Sequence, residues 1–258
     1  MSAFDPVPAA TLLAEAMNTG RRFSELPEAA RPLSIADGYD VQDAIAAGRG
    51  GLKDTTAGWK LGLGSANAMR AAKLTRPLIG RVYKGRLYPS DATVPAPAGA
   101  KALIEIEIAF TLGRDVPPTQ TPGDPLSSVS RTSLVSEIVI SRFIDRTVVG
   151  LPSFAADSVG FHALVIGPDV KPSDIATVTR SLAVTCNGAE ATTVATGDDA
   201  IDPVEMLGHL MAHARERGIT LKAGEIVTTG TLSKPFEATV PCAIAATTGL
   251  GAVRYRLA

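Results

Sequence analysis

Apolar residues change rhythm near residue 56 of the chain. Before that point they recur at helical spacing: Leu12, Leu13, Ala16 and Met17 follow Pro8, and Asn18, Thr19 and Gly20 stop the pattern. Ser34 then caps a second helix that has Asp37 in its first turn. Residues 1–55 thus read as an N-terminal helical segment, suited to a lid or an oligomer surface. Residues 56–258 read as a β-rich catalytic domain, because apolar positions there alternate over short runs bounded by Gly, Pro and Asp. The runs predict strands at 59–63, 103–112, 134–141, 162–166, 182–186, 226–229, 239–245 and 253–257. Asn187 and Gly188 tolerate the positive φ of a type I′ turn and mark a hairpin. One helix interrupts the strands. Asp202 is its N-cap, Pro203 its first residue and Glu205 part of a capping-box-like pattern; Val204, Leu207, Met211 and Ala214 form the apolar stripe, and Gly218 ends it. The fold class is α+β.

Composition narrows the function. The 258 residues carry 25 Lys plus Arg against 26 Asp plus Glu, so charge gives no reason to expect a nucleic-acid or membrane partner. With 45 % hydrophobic residues and only 5 % aromatics, the core must be mainly Ala, Val, Ile and Leu. Cys186 and Cys242 lie in apolar alternating stretches and read as buried, reduced thiols. Met1 to Pro8 has no basic, apolar leader character, and no apolar run approaches the roughly 18 residues of a membrane helix, which predicts a soluble, cytoplasmic protein.

Dinucleotide-loop, phosphate-loop and nucleophile-elbow signatures are missing. His209 and His213 stand four apart on the predicted helix but fall among Arg215, Glu216 and Arg217, and they read as solvated surface. The informative segment is Leu103-Ile104-Glu105-Ile106-Glu107-Ile108. Alternation puts Glu105 and Glu107 on one face, about 7 Å apart by strand rise. Alone, this also describes an edge strand with its polar face in water. The run from Ser133 to Ser141 adds Glu137, a single carboxylate among apolar residues, which is costly to bury without compensation. Three glutamates on apolar strands suggest a hard cation, Mg²⁺ foremost, with Mn²⁺ or Ca²⁺ also compatible. Such an ion can chelate an α-keto acid and carry enolate charge. In Gly58-Trp59-Lys60-Leu61-Gly62-Leu63-Gly64, Trp59, Leu61 and Leu63 share one face, and Lys60 lies between glycines on the other. Lys60 would overlook a cavity, its pKa drawn toward neutrality for proton transfer. The same residues also suit an exposed strand lysine beside a bulge.

Taken together in order and spacing, several motifs resemble the 2-hydroxypenta-2,4-dienoate hydratase and 4-oxalocrotonate decarboxylase family of the fumarylacetoacetate hydrolase superfamily. They are Lys60-Leu61-Gly62-Leu63-Gly64-Ser65, Glu105-Ile106-Glu107-Ile108-Ala109-Phe110, Glu137-Ile138-Val139 with Ser141-Arg142, Asp157-Ser158, and Gly218 through Gly230. The resemblance implies a fumarylacetoacetate-hydrolase-like mixed β-sheet roll with an N-terminal helical part. It implies a Mg²⁺ on Glu105, Glu107 and Glu137, and acid/base roles for Lys60 and Asp157. Gly62, Leu63, Ser65, Arg142, Ser158, Thr231 and Lys234 would contact the substrate. The implied reaction is hydration of a 2-oxopent-4-enoate-type 2-oxo acid. The alternatives are 4-oxalocrotonate-type decarboxylation, acylpyruvate hydrolysis, or a non-catalytic partner subunit. A homo-oligomer, able to associate with a related lyase subunit, is the expected assembly. Two positions depart from the family pattern: Leu78 and Ile140 stand where acids are usual, and the first removes a partner expected to work with Lys60.

Overall fold

The computed structural model describes residues 4–120 and 123–258. In chain order its elements begin with α1 (Val7–Thr19), α2 (Ile35–Ala46), β1 (Thr56–Gly62), α3 (Ala66–Ala71), β2 (Leu78–Tyr83), β3 (Leu87–Pro89) and β4 (Ala92–Val94). The middle holds β5 (Lys101–Leu112), β6 (Val129–Val139), α4 (Gly150–Ala156), β7 (Phe161–Val170), α5 (Ile175–Ser181), β8 (Ala183–Cys186) and β9 (Ala189–Thr192). The chain finishes with α6 (Pro203–Glu216), β10 (Ile226–Thr231), β11 (Phe236–Thr239), β12 (Cys242–Thr248) and β13 (Gly251–Leu257).

The strands form two sheets. The larger, mixed sheet runs β2-β1-β10-β5-β6-β7-β3, with β11 also paired to β5; the smaller runs β4-β13-β12-β8-β9. Both faces of the larger sheet are covered, which explains why β5 and β6 are apolar almost throughout. On one face Ile104, Ile106, Ile108, Leu134 and Ile138 pack with Ile244, Ala246 and Val253 of the smaller sheet. On the other, Val82, Ala109, Val135 and Leu164 pack with Leu13 of α1 and Val41 of α2. Each fully buried aliphatic side chain contributes about 1.5–3 kcal/mol. The N-terminal helices are therefore a packed layer on the sheet with their own buried residues. Their ends follow the sequence: Gly20 closes α1 at φ 76°, and Ser34 and Asp37 make a reciprocal capping box on α2.

The hairpin at Asn187 and Gly188 has φ of 52° and 83°, and α6 starts at Asp202 and Pro203 as predicted. Elsewhere tertiary context overrides pattern. The run 239–245 is two strands, since the chain leaves β5 at Thr239, turns at Val240 and Pro241, and joins β13 and β8 in the other sheet. β2 carries no alternation because all six of its residues are buried. His213 is corrected from surface to core: it is 4 % exposed, edge-on to Tyr39 with ring centroids 4.6 Å apart. Burial, with Arg217 and Arg76 nearby, pushes its pKa down to about 4. Cys242 is buried as expected, but Cys186 is only half-buried; both are free thiols. Among the described residues no helix is long and apolar enough to cross a membrane.

Candidate active site

Antiparallel pairing of β5 and β6 sets Glu105 directly opposite Glu137, with Glu107 two residues along on the same face. The three carboxylates converge: one oxygen from each lies within 4.8 Å of the others. Glu107 and Glu137 are fully buried, whereas Glu105 is half-buried. Lys60 arrives from β1, which is separated from β5 only by β10. Its Nζ is 2.8 Å from Glu137 Oε1, and the side chain is 2 % exposed.

β10 supplies the remaining contacts. Its ladder with β5 shifts register between Thr228 and Thr231, and Gly230 there takes φ 89°, a left-handed conformation that glycine adopts without strain. The displaced Gly230 amide donates to Glu107 Oε2 at 2.8 Å, and Thr228 Oγ1 donates to Glu137 Oε2 at 3.2 Å. Both residues belong to a motif whose sequence discloses no role for them; a glycine after two threonines at a strand's end was the available signal.

The electrostatics are unbalanced. Burial pulls the Lys60 ammonium's pKa down, but Glu137, Glu105 and Glu107 outweigh it and hold the group above its ordinary value, the reverse of the expected drift toward neutrality. Burial, reinforced by Glu137 and Glu105, raises Glu107 well above the carboxylate range. Glu137 is pushed up to about 7, chiefly by burial, with Lys60 opposing and Glu105 adding. Glu107 Oε1 is buried with no hydrogen-bond partner among the described residues. Three carboxylates face one ammonium, so full ionisation leaves an excess of two negative charges. An all-oxygen donor set, one orphaned buried oxygen and that excess together fit a hard divalent cation.

The cluster opens through Glu105 into a cavity of about 280 Å³, also lined by Gly62, Leu63, Ser65, Thr231 and Lys234. Leu63 does not continue the face of Trp59 and Leu61; it lies beyond β1 at φ 57° and lines the cavity. Ser65 Oγ caps α3 by accepting from Ala68 N at 3.2 Å. The lining also includes Asn67 and Asp199, whose Oδ1 accepts from Asn67 Nδ2 at 2.9 Å; sequence reading missed both, since neither lies in a motif.

Arg142, Asp157 and Ser158 are not in that lining. Asp157 is buried and accepts from Ser141 Oγ at 2.8 Å and from the backbone and guanidinium of Arg142. Arg142 lines a different cavity, of about 310 Å³, with Arg22, Arg86, Ile140 and His162. Ser158 Oγ lies 3.2 Å from Tyr83 Oη. Leu78 is buried in a small apolar cluster with Phe154 and Val159.

The family model described as fumarylacetoacetate hydrolase C-terminal matches residues 63–254. Among curated proteins, a 2-keto-4-pentenoate hydratase of Paraburkholderia xenovorans (strain LB400) is 27 % identical over 255 residues, covering 95 % of this chain and 92 % of the relative. A 2-keto-4-pentenoate hydratase 3 of Pseudomonas putida matches to the same extent. Among solved structures, 4-oxalocrotonate decarboxylase from Pseudomonas putida G7, complexed with magnesium and adipate, superposes with a TM-score of 0.85. It is 20 % identical, and the match covers 100 % of this chain and 99 % of that one.

Proposed function

Since the chain belongs to the fumarylacetoacetate hydrolase family, we propose that it is a divalent-metal-dependent lyase that hydrates small 2-oxo acids of the 2-oxopent-4-enoate type. The observation that carries this reading is the buried carboxylate trio, with its excess negative charge and Lys60 beside it, opening through Glu105 into the cavity; Lys60 itself is buried behind the trio and, contrary to the expectation that it overlooks a cavity, is not in the lining. The hydratase relatives, similar along nearly their whole length, support the choice of reaction.

Glu105, Glu107 and Glu137 would hold the cation, Mg²⁺ by preference, with Mn²⁺ or Ca²⁺ as substitutes. When bound, it supplies a Lewis acid for the carboxylate and 2-oxo oxygen of the substrate. The chain's own groups do the rest. Lys60 is the acid/base group, moving a proton at the carbon chain next to the 2-oxo group. Gly62 lines the cavity, its missing side chain leaving the space that Val159 fills beside Lys60, and Leu63 narrows the cavity against water. Ser65 and Thr231 orient the substrate through their hydroxyls, and Lys234 draws in negative charge. Arg142, Asp157 and Ser158 reach the substrate only by way of Lys60. The same reading makes the protein a cytoplasmic homo-oligomer able to associate with a related lyase subunit. Ile144 and Val148, exposed at 63 % and 73 %, offer apolar contact area for such an assembly.

A specific observation favours decarboxylation as the second reading. Leu78, at a position where the family pattern carries an acid, is buried in an apolar cluster with Phe154 and Val159, so it supplies no carboxylate to activate water, while loss of CO₂ needs no activated water. The test is a 2-hydroxypenta-2,4-dienoate assay with Mg²⁺. Hydration predicts loss of the dienol ultraviolet band with no CO₂ released. CO₂ from a 2-oxo-3-enedioate, with the dienol untouched, replaces the first reading by the second.

A further inference from the structure

Beside Lys60, and outside the cavity lining, the backbone makes a turn that side-chain sterics disfavour. Ser158, Val159 and Gly160 take three successive left-handed conformations, with φ of 49°, 54° and 75°. Glycine does so freely, but a β-branched residue such as Val159 is an outlier there. Such a turn persists only where its surroundings over-determine it.

Asp157, immediately before the turn, provides that constraint. Its Oδ2 accepts from Ser141 Oγ at 2.8 Å and Arg142 N at 3.0 Å, and its Oδ1 accepts from Arg142 Nε. The remaining guanidinium donors reach the carbonyls of Ile140, Asp157 and Phe161. One buried cation therefore ties down the chain on both sides of the turn. The Gly160 amide donates to Asp157 O at 3.0 Å, and the Ile140 amide donates to Gly160 O at 3.0 Å.

The turn delivers one group to the site: Val159 O accepts from Lys60 Nζ at 3.4 Å. Two glycines make the approach feasible. A Cβ at Gly80 would lie 2.5 Å from Ser158 O and 2.9 Å from Lys60 Cδ, and one at Gly62 would lie 2.6 Å from Val159 Cγ1. The sheet is thus hollowed on both sides of Lys60 to seat this turn. The carboxylate of Asp157 is engaged on both oxygens and does not line the cavity.

We propose that the Arg142–Asp157 pair is a positioning device, holding the left-handed turn so that the Val159 carbonyl aims the Lys60 ammonium at the carboxylate cluster. Asp157 acts through that carbonyl and is not itself a proton carrier. The inference rests on the reading of Lys60 as the proton-transferring group. Asp157→Asn keeps the side-chain shape and removes the charge that anchors Arg142. Turnover of the dienol with Mg²⁺ should lose roughly 100-fold in kcat, the scale of loss that a displacement of about 1 Å produces. KM and the Mg²⁺ affinity measured by calorimetry should stay as in the parent, which also shows that the variant is folded. Adding Val159→Gly, which removes the side chain opposing the turn, should recover most of the lost kcat. No recovery, or a KM increase in place of the kcat loss, overturns the inference. Should Asp157→Asn not fold, Ser141→Ala weakens the same clamp and should show the same pattern to a smaller degree; unchanged kcat there overturns it equally. A crystal structure of the variant is read independently of turnover. Lys60 Nζ moved off Val159 O, with the three glutamates in place, supports the device even if the parent acts on no 2-oxo acid; Lys60 unmoved sinks it.

Discussion

Glu107→Gln should make the metal-free protein more stable and the metal-loaded protein less so. The side chain is fully buried among like charges. With carboxylate oxygens within 4.8 Å of one another and an effective dielectric of about 20, each fully ionised like-charge pair costs on the order of 3 to 4 kcal/mol. Glu107 has two such neighbours, Glu105 and Glu137, and one opposing ammonium, Lys60. Where Glu107 is ionised, removing its charge abolishes two repulsions and one attraction of comparable size, a net relief of at most about 3 kcal/mol; burial, which raises its pKa, lowers the ionised fraction in chelator and the relief with it. The amide oxygen can keep the bond from Gly230 N, so no new orphan acceptor forms at that end. In the parent, by contrast, Mg²⁺ at about 100 times its Kd adds roughly 3 kcal/mol of stability, which the variant forfeits with its ligand. Urea unfolding at pH 8, in chelator and then in excess Mg²⁺, should give stability orders that cross. A variant less stable than the parent in chelator, or a parent that Mg²⁺ leaves unchanged, refutes the argument that these carboxylates are an unneutralised cage.

Four further outcomes test neighbouring parts of the site. The folded pKa of Glu137 is raised to about 7 from the ordinary 4.5. In the metal-free protein its stabilising contribution is therefore full below about 4.5 and is lost as pH rises through 7, a fall of about 3 kcal/mol. Mg²⁺ affinity runs the other way: below pH 7 protons compete for the ligands, and calorimetry at pH 6 and 8 should show at least an about tenfold weaker Kd at the lower pH. Lys60→Met should cost about 10²–10⁴ in kcat while calorimetry still detects Mg²⁺ binding; turnover near the parent's would remove Lys60 from the chemistry. Gly80→Ala forces a Cβ to 2.5 Å from Ser158 O, and denaturant melts should show a loss of about 1–3 kcal/mol, as overpacking does.

What the sequence disclosed was whatever short-range rules govern. Two carboxylates at i and i+2 on a strand must share a face, so spacing alone pairs Glu105 with Glu107. Ser34 with Asp37, Asn187 with Gly188, and Asp202 with Pro203 all state local backbone geometry, and each turn or cap is where it was expected. The contact of Glu137 with Lys60 was not legible from spacing, only through the family resemblance, because it depends on β10 and β5 lying between β1 and β6, a non-local pairing. Nor was the direction of the Lys60 shift, which reverses once three carboxylates are close enough to outweigh burial. His213 misled for a related reason: charged neighbours in sequence said surface, while Tyr39 and Trp59 enclose it from other elements. The left-handed Val159 carried no sequence signal at all, since nothing about valine announces φ of 54°.

The most direct test of the central claim is a crystal structure of the protein soaked with Mg²⁺ and oxalate. The account predicts one ion bound at about 2.1 Å by an oxygen from each of Glu105, Glu107 and Glu137, with oxalate on its open side and Lys60 Nζ facing the oxalate carbons. An ion elsewhere, or none, with Glu137 still joined to Lys60 and Thr228 and Glu107 to Gly230, would contradict it.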